Sequence, residues 1–218
     1  MTDAAPQTRA VLFDFGGVFT ESPFEAAREF GREIGVDPHL MLTTVFGPYD
    51  QDTDHPWHRL ERGEILLTDA RSQILDLGQQ HGFEADLFKV LAALGSKTGP
   101  RETFSSRARR LRAAGIPTAV ITNNAREFQD AWRAMVPVDE LFDFVVDSSF
   151  VGYRKPDPRI FRHALERLGI EPHQAMFFDD FEGNVRAARE LGIRAHLVEP
   201  DPAAALAELD QVLVTLGA

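Results

Sequence analysis

The sequence predicts a doubly wound parallel α/β sheet with a helical insert after its first strand. Three observations predict it. From about Arg101 onward, short apolar strands alternate with amphipathic helices, the rhythm of a parallel sheet covered on both faces. Between the first strand and Arg101 that rhythm stops, and residues 24–94 show helical patterning without a convincing strand. Finally, Asp14, Thr122 and the Asp179-Asp180 pair each stand where a strand ends. Ligands of open α/β sheets bind at that edge, so separated motifs converge on one crevice.

Taken in order, Val11-Leu12-Phe13 is an apolar strand that runs through Asp14 into the turn Gly16-Gly17. The helices of the insert are expected at Phe24–Ile34, Pro38–Phe46, Pro56–Arg62, Asp69–His81 and Glu84–Leu94, with starts at Asp37-Pro38 and Thr68-Asp69. The run 95–100, glycine at both ends of a polar stretch before Pro100, reads as a linker. Residues 102–114 read as a helix stopped by Gly115, Pro117–Thr122 as a strand, Ala125–Met135 as a helix and Phe142–Asp147 as a strand. Asp157 is a good N-cap with Pro158 at the first helical position. Ile160, Phe161, Ala164, Leu165 and Leu168 then share one helical face, and Gly169 ends it. Ala175–Phe178 is a strand, Glu182–Leu191 a helix, Ala195–Val198 a strand, and a last helix runs from about Pro202 to Leu216.

Composition bounds the chemistry. The 218 residues include 44% hydrophobic residues, enough for a substantial core. Cysteine is absent, which removes disulfides, thiolate zinc sites and cysteine nucleophiles. A net charge of −11 disfavours non-specific binding to nucleic acid or anionic membrane, so the basic run Arg107–Arg112 reads as the solvated face of a helix. Residues 1–9 carry neither a basic leader nor an apolar core, and no stretch reaches the 18 apolar residues of a membrane span. The expectation is a soluble, cytoplasmic protein, monomer or homodimer.

The four strand-end motifs supply phosphate chemistry. Asp14 is a candidate nucleophile: a carboxylate attacking phosphorus gives an aspartyl-phosphate and splits hydrolysis into two displacements. Gly16 and Gly17 let the backbone turn and approach a phosphate. Asp179 and Asp180 repel one another unless a cation or donors relieve them, and magnesium takes oxygen ligands of this kind. Val120-Ile121-Thr122-Asn123-Asn124 offers a hydroxyl and amides, and Arg154-Lys155-Pro156-Asp157-Pro158 a cation.

In this order, Asp14-Phe15-Gly16-Gly17-Val18, Thr122-Asn123, Lys155 and Asp179-Asp180 resemble the motifs of the haloacid dehalogenase superfamily of hydrolases, most of which are magnesium-dependent phosphatases. The first is a DFGGV-type variant, and the insert is similar to the cap of subclass I. The resemblance implies a Rossmann-like core of residues 1–20 and 96–218 with a cap at 21–95. It implies Asp14 as nucleophile and Lys155 as neutralising cation, with Thr122, Asn123 and Gly17 holding phosphate. Mg²⁺ would be bound by Asp14, Asp180 and the Gly16 carbonyl, with Asp179 holding a metal-bound water. The substrate implied is a small phosphorylated metabolite, a sugar phosphate among the options.

Gly16 departs from the pattern, because most phosphatases of this superfamily carry there a second Asp acting as general acid and base. Three situations accommodate the loss. The substrate's leaving group needs little protonation, as in sugar-1-phosphates and acyl phosphates, or the cap supplies the acid from Asp54, His55 or His58. Alternatively, Asp14 displaces halide from a 2-haloacid. In the third, the chain binds a phosphometabolite or partner without turnover. Phe46, Tyr49 and Trp57 are candidate pocket walls.

Overall fold

A computed structural model describes residues 8–95 and 101–217. Residues 1–7, 96–100 and 218 lie outside the described residues, and with them most of the expected linker and N-terminal segment. Five strands form one all-parallel sheet: β1 (Ala10–Phe13), β2 (Thr118–Thr122), β3 (Phe144–Asp147), β4 (Ala175–Asp179) and β5 (Arg194–Leu197). Their order is β3-β2-β1-β4-β5, so the chain winds first to one side of β1 and then to the other.

Five helices fill the span between β1 and β2 that reads as strandless: α1 (Pro23–Glu33), α2 (Pro38–Phe46), α3 (Pro56–Glu61), α4 (Leu67–Gln80) and α5 (Leu87–Gly95). The helices around the sheet are α6 (Glu102–Ala113), α7 (Gln129–Arg133), α8 (Val138–Leu141), α9 (Ser148–Val151), α10 (Pro158–Leu168), α11 (Glu182–Glu190) and α12 (Ala203–Leu216).

Successive strand residues face opposite sides, and both sides are buried. Val11, Phe13, Val120, Met176 and Phe178 pack beneath α6 and α12 through Phe104, Leu111, Leu209 and Leu213. Leu12, Ala119, Ile121, Ala175 and Phe177 pack on the other side against Ile160, Phe161 and Leu165 of α10 and Val185 of α11. That arrangement explains why the strands are continuous apolar runs. The insert has a core of its own, built on Phe24, Met41, Phe46, Trp57, Leu60, Ile74 and Leu87, which Ala125 and Phe181 from the sheet's edge loops join.

Four elements differ most from the sequence reading. The helix expected over 125–135 is α-helical only at α7, preceded by a single 3₁₀ turn at Arg126–Phe128. Ala125 keeps an extended backbone there, with its N–H donated to the Asn124 side chain. Two four-residue helices, α8 and α9, stand where no element is legible, too short to show a period. Helix α4 begins at Leu67 rather than at Thr68-Asp69, because its first N–H is capped from outside: Leu67 donates to the Glu127 carboxylate at 2.8 Å. Asp157 caps α10 as expected, accepting from the Arg159 N–H, and Gly169 ends it in the left-handed conformation.

The basic run on α6 is half-exposed rather than simply solvated. Arg107 pairs with Asp210, Arg109 with Glu140 and Arg112 with Asp143, so three of its cations tie α6 to neighbouring elements. Among the described residues no helix is long and apolar enough to cross a membrane.

Candidate active site

Parallel register sets the site. Phe13 lies level with Val120 on one side and Phe178 on the other, so Asp14 emerges at the carboxyl edge between Thr122 and Asp179. The Asp14 N–H donates to the Phe178 carbonyl at 2.8 Å, which keeps the turn on the sheet. Lys155 reaches this point from the loop before α10 and is buried, 1% exposed. Its Nζ lies 2.7 Å from Asp14 Oδ1 and 2.8 Å from Asp179 Oδ2. Asp179 is fully buried and further held by the Phe181 N–H and by Asn184 Nδ2, which is within 3.1 Å of both its oxygens.

Burial pushes the Asp14 carboxyl up to about 7 despite the pull of Lys155, and the Asp179 charge adds to the rise. Burial likewise raises Asp180 well above the ordinary range, with Asp179 and Asp14 adding to it. Asp14, Asp179 and Asp180 present oxygens all within 4.8 Å of one another. Three carboxylates facing one lysine leave about two negative charges when ionised, and hard oxygen donors at this spacing suit Mg²⁺. The donor set therefore fits the metal the motifs imply.

The two glycines after Asp14 are not equivalent. Gly17 has φ +73°, and a Cβ there would overlap the Asp180 carboxyl, so only glycine lets Asp180 close onto the turn. A Cβ on Gly16 would meet only the Pro23 ring, at 3.4 Å, an ordinary contact.

The insert roofs the site. A cavity of about 60 Å³ is lined by Asp14, Gly16, Thr122, Asn123, Asp180 and Asn184 from below. From the insert come Pro23, Phe24, Phe46, Tyr49, Trp57 and Glu61. The expected walls Phe46, Tyr49 and Trp57 are therefore in place, and all three also belong to the insert's core. Asn123 lines the cavity, but its side-chain amide is committed elsewhere: Nδ2 donates to the Lys155 carbonyl at 2.9 Å and to Tyr49 Oη at 3.1 Å, and Oδ1 accepts from the Lys155 N–H at 2.7 Å.

The proposed cap acids do not reach the cavity. Asp54 is fully exposed beside Arg62. His55 accepts from the Trp57 N–H through Nδ1 and sets Nε2 against the Thr44 carbonyl, and burial lowers its pKa to about 4. His58 is wholly buried, with Nδ1 against Thr53, and burial lowers it to about 2, aided by Arg154. Burial keeps both neutral, and each is used locally: His55 caps α3, and His58 accepts from the Thr53 N–H of the preceding loop. Two polar groups that line the cavity have no place in the sequence reading: Glu61 at the roof and Asn184 at the floor. Asn184 had a usable signal, since five residues beyond Asp179 in a helix's first turn points back at the strand end. Glu61 sits in a charged stretch that reads as surface.

A model of the haloacid dehalogenase-like hydrolases matches residues 8–192. Mouse acyl-CoA dehydrogenase family member 10 is 34% identical over 212 residues, covering 94% of this chain, while the chain spans only 19% of that relative's length. The sesquiterpene phosphatase astK of Aspergillus oryzae is 30% identical over 210 residues, 94% of this chain and 96% of its own. Among solved structures, the HAD family enzyme bt-2542 of Bacteroides thetaiotaomicron, in complex with magnesium and inorganic phosphate, superimposes with a TM-score of 0.61 at 22% identity, covering 89% of this chain and 96% of that one. With its sheet order, strand-end carboxylates and buried lysine in place, the chain belongs to the haloacid dehalogenase-like hydrolases.

Proposed function

We propose that this chain is a Mg²⁺-dependent phosphatase that hydrolyses a small phosphorylated metabolite through an aspartyl-phosphate on Asp14. The observation that carries the reading is the cluster at the sheet edge: Asp14 held by Lys155 beside Asp179 and Asp180, all within 4.8 Å. A haloacid needs no cation to lose halide, whereas a phosphate dianion approaching carboxylates does. The phosphatase name of astK and the magnesium and phosphate bound by bt-2542 support the same reading.

In this mechanism Asp14 attacks phosphorus in line with the leaving group. Lys155 offsets charge on the nucleophile and on the transferring phosphoryl group. The Thr122 hydroxyl and the main chain at Asn123 and Gly17 hold phosphoryl oxygens. Asp14, Asp180 and the Gly16 carbonyl would hold Mg²⁺, with Asp179 reaching it through water, and the ion supplies charge neutralisation when bound. Of the described residues, 8–20 and 101–217 would be the core and 21–95 the cap. A cavity of about 60 Å³ has room for a few waters rather than a metabolite, so the cap moves to admit substrate. Without an acid at Gly16, sugar-1-phosphates and acyl phosphates are the favoured substrates.

The test is phosphate release from a panel of phosphorylated metabolites with and without Mg²⁺. Metal-dependent release that disappears in Asp14→Asn is the expected result. Full activity in Asp14→Asn, once deamidation is excluded, sinks the reading. The small cavity and the missing acid at Gly16 both also suit a haloacid, and metal-independent halide release from 2-haloacids would replace the proposal with a dehalogenase. Phosphometabolite binding without release would instead identify a non-catalytic member.

A further inference from the structure

Lys155 is anchored by a closed loop of contacts that runs through the insert. Its neighbour Arg154 is completely buried, and so, to within 1%, is Glu61 of α3. Arg154 Nε donates to Glu61 Oε2 at 2.6 Å and Nη1 donates to the Gln51 carbonyl at 3.1 Å. The guanidinium stacks 4.3 Å from the centre of the Tyr49 ring. Tyr49 Oη donates to the other Glu61 oxygen at 2.7 Å and accepts from Asn123 Nδ2 at 3.1 Å. Asn123 then brackets the Lys155 peptide, donating to its carbonyl and accepting from its N–H. The two routes away from Lys155, one covalent through Arg154 and one through Asn123, both end on Glu61.

We propose that Glu61 and Tyr49 are positioning residues for Lys155, so that its ammonium is held in register with Asp14 only while the insert is docked. The inference rests on the phosphatase reading for its catalytic meaning, not for its geometry.

Chemistry favours this role over simple stabilisation. A buried ion pair contributes little net stability, because both ions give up water to form it. Opening the insert returns that water to Arg154 and Glu61, so the contact can break and reform. While closed, its directional hydrogen bonds fix the peptide that carries a long, flexible lysine. Misplacement of a reacting group by about 1 Å can cost on the order of 10² in rate. Glu61, Tyr49 and Gln51 all lie in the insert, while Asn123, Arg154 and Lys155 lie in the sheet's edge loops. Insert closure and lysine placement are thereby one event.

Tyr49→Phe carries the test, because it keeps the ring against Arg154, Phe24 and Phe181 and removes only the hydroxyl. Glu61→Gln is the companion, expected also to lower the melting temperature because it leaves Arg154 uncompensated. Amide exchange at Lys155, whose N–H donates to Asn123, should accelerate about tenfold in Tyr49→Phe, the weight of one neutral hydrogen bond, with β1 and β4 amides unchanged. kcat should fall by about the same factor with KM unchanged, and Tyr49→Phe should have a smaller effect in an Asn123→Ala background, where only the route through Glu61 and Arg154 remains. An unchanged Lys155 amide in Tyr49→Phe overturns the proposal, as does an undiminished kcat loss in the Asn123→Ala background. If the chain releases no phosphate from any substrate, the exchange result still decides the positioning claim on its own.

Discussion

Replacing Gly17 by alanine tests the packing of the carboxylate cluster most directly. The new methyl would overlap the Asp180 carboxyl, and φ +73° is a backbone conformation alanine adopts at a cost of about 1–2 kcal/mol. Overpacking adds about 1–3 kcal/mol if Asp180 stays in place. Together they predict a loss of about 2–5 kcal/mol, or roughly 4–20 °C in Tm for a chain of this length. Should Asp180 swing aside instead, the stability loss shrinks towards the backbone cost and the cluster loses an oxygen, so Mg²⁺ affinity falls. Differential scanning calorimetry and Mg²⁺ titration calorimetry together therefore register the change either way. Gly16→Ala is the internal control: its methyl meets Pro23 at 3.4 Å, and alanine at an unstrained position commonly stabilises by about 0.4–1 kcal/mol. A Gly17→Ala protein with native Tm and native Mg²⁺ affinity refutes the reasoning.

Asn184→Ala removes a donor shared by both Asp179 oxygens and should weaken Mg²⁺ binding by about 10–100-fold, read by titration calorimetry. Because Asp14 is raised to about 7, Mg²⁺ binding near neutral pH should release protons, and this release should vanish in Asp14→Asn; calorimetry in buffers of different ionisation enthalpy measures it. The same shift has a sign for stability. Folded Asp14 keeps a proton that the unfolded chain gives up near 3.8, so its contribution is present at low pH and is lost as pH rises through about 7. His55 and His58, lowered to about 4 and about 2, act oppositely, and stability falls as pH drops below 6.5. For these three groups the metal-free protein should therefore lose stability, read as a falling Tm, as pH drops below 6.5, where the two histidines outweigh Asp14, and level off above about 7.

Strand-end chemistry was legible because it is local: Asp14, Thr122 and Asp179 each follow an apolar run, and parallel topology brings such ends together whatever the loops do. The insert was legible for a related reason, since helical period survives in a single sequence. What stayed hidden depends on which surface meets which. Glu61 belongs to Arg59-Leu60-Glu61-Arg62, a stretch whose charges signal solvent, and only docking of α3 against Arg154 takes its carboxylate out of water. His55 and His58 mislead in the opposite direction, because titratable side chains near a predicted pocket invite a catalytic role, while His55 Nδ1 caps α3 and His58 Nδ1 accepts from the Thr53 N–H. The difference between Gly16 and Gly17 is likewise invisible in the sequence, resting on where Asp180 points.

The proton for the leaving group is where the phosphatase reading is most exposed to test. Of the titratable groups lining the cavity, Asp14 is the nucleophile and Asp180 a metal ligand in this mechanism. Glu61 is held between Arg154 and Tyr49. Tyr49 is pushed well above 10 by burial and by the Glu61 charge, which makes it a poor acid. With no lining group free to give a proton, the rate should follow the leaving group's own acidity. Across a series of aryl and alkyl phosphates, kcat/KM should fall steeply as leaving-group pKa rises. A Cβ at Gly16 meets only ordinary contacts, so Gly16→Asp should flatten that slope and raise turnover of alkyl phosphates by about 10²–10⁴, the ordinary worth of general acid catalysis. A shallow slope in the unaltered protein would mean that a proton already arrives from elsewhere, and the argument from Gly16 to an activated leaving group would fail.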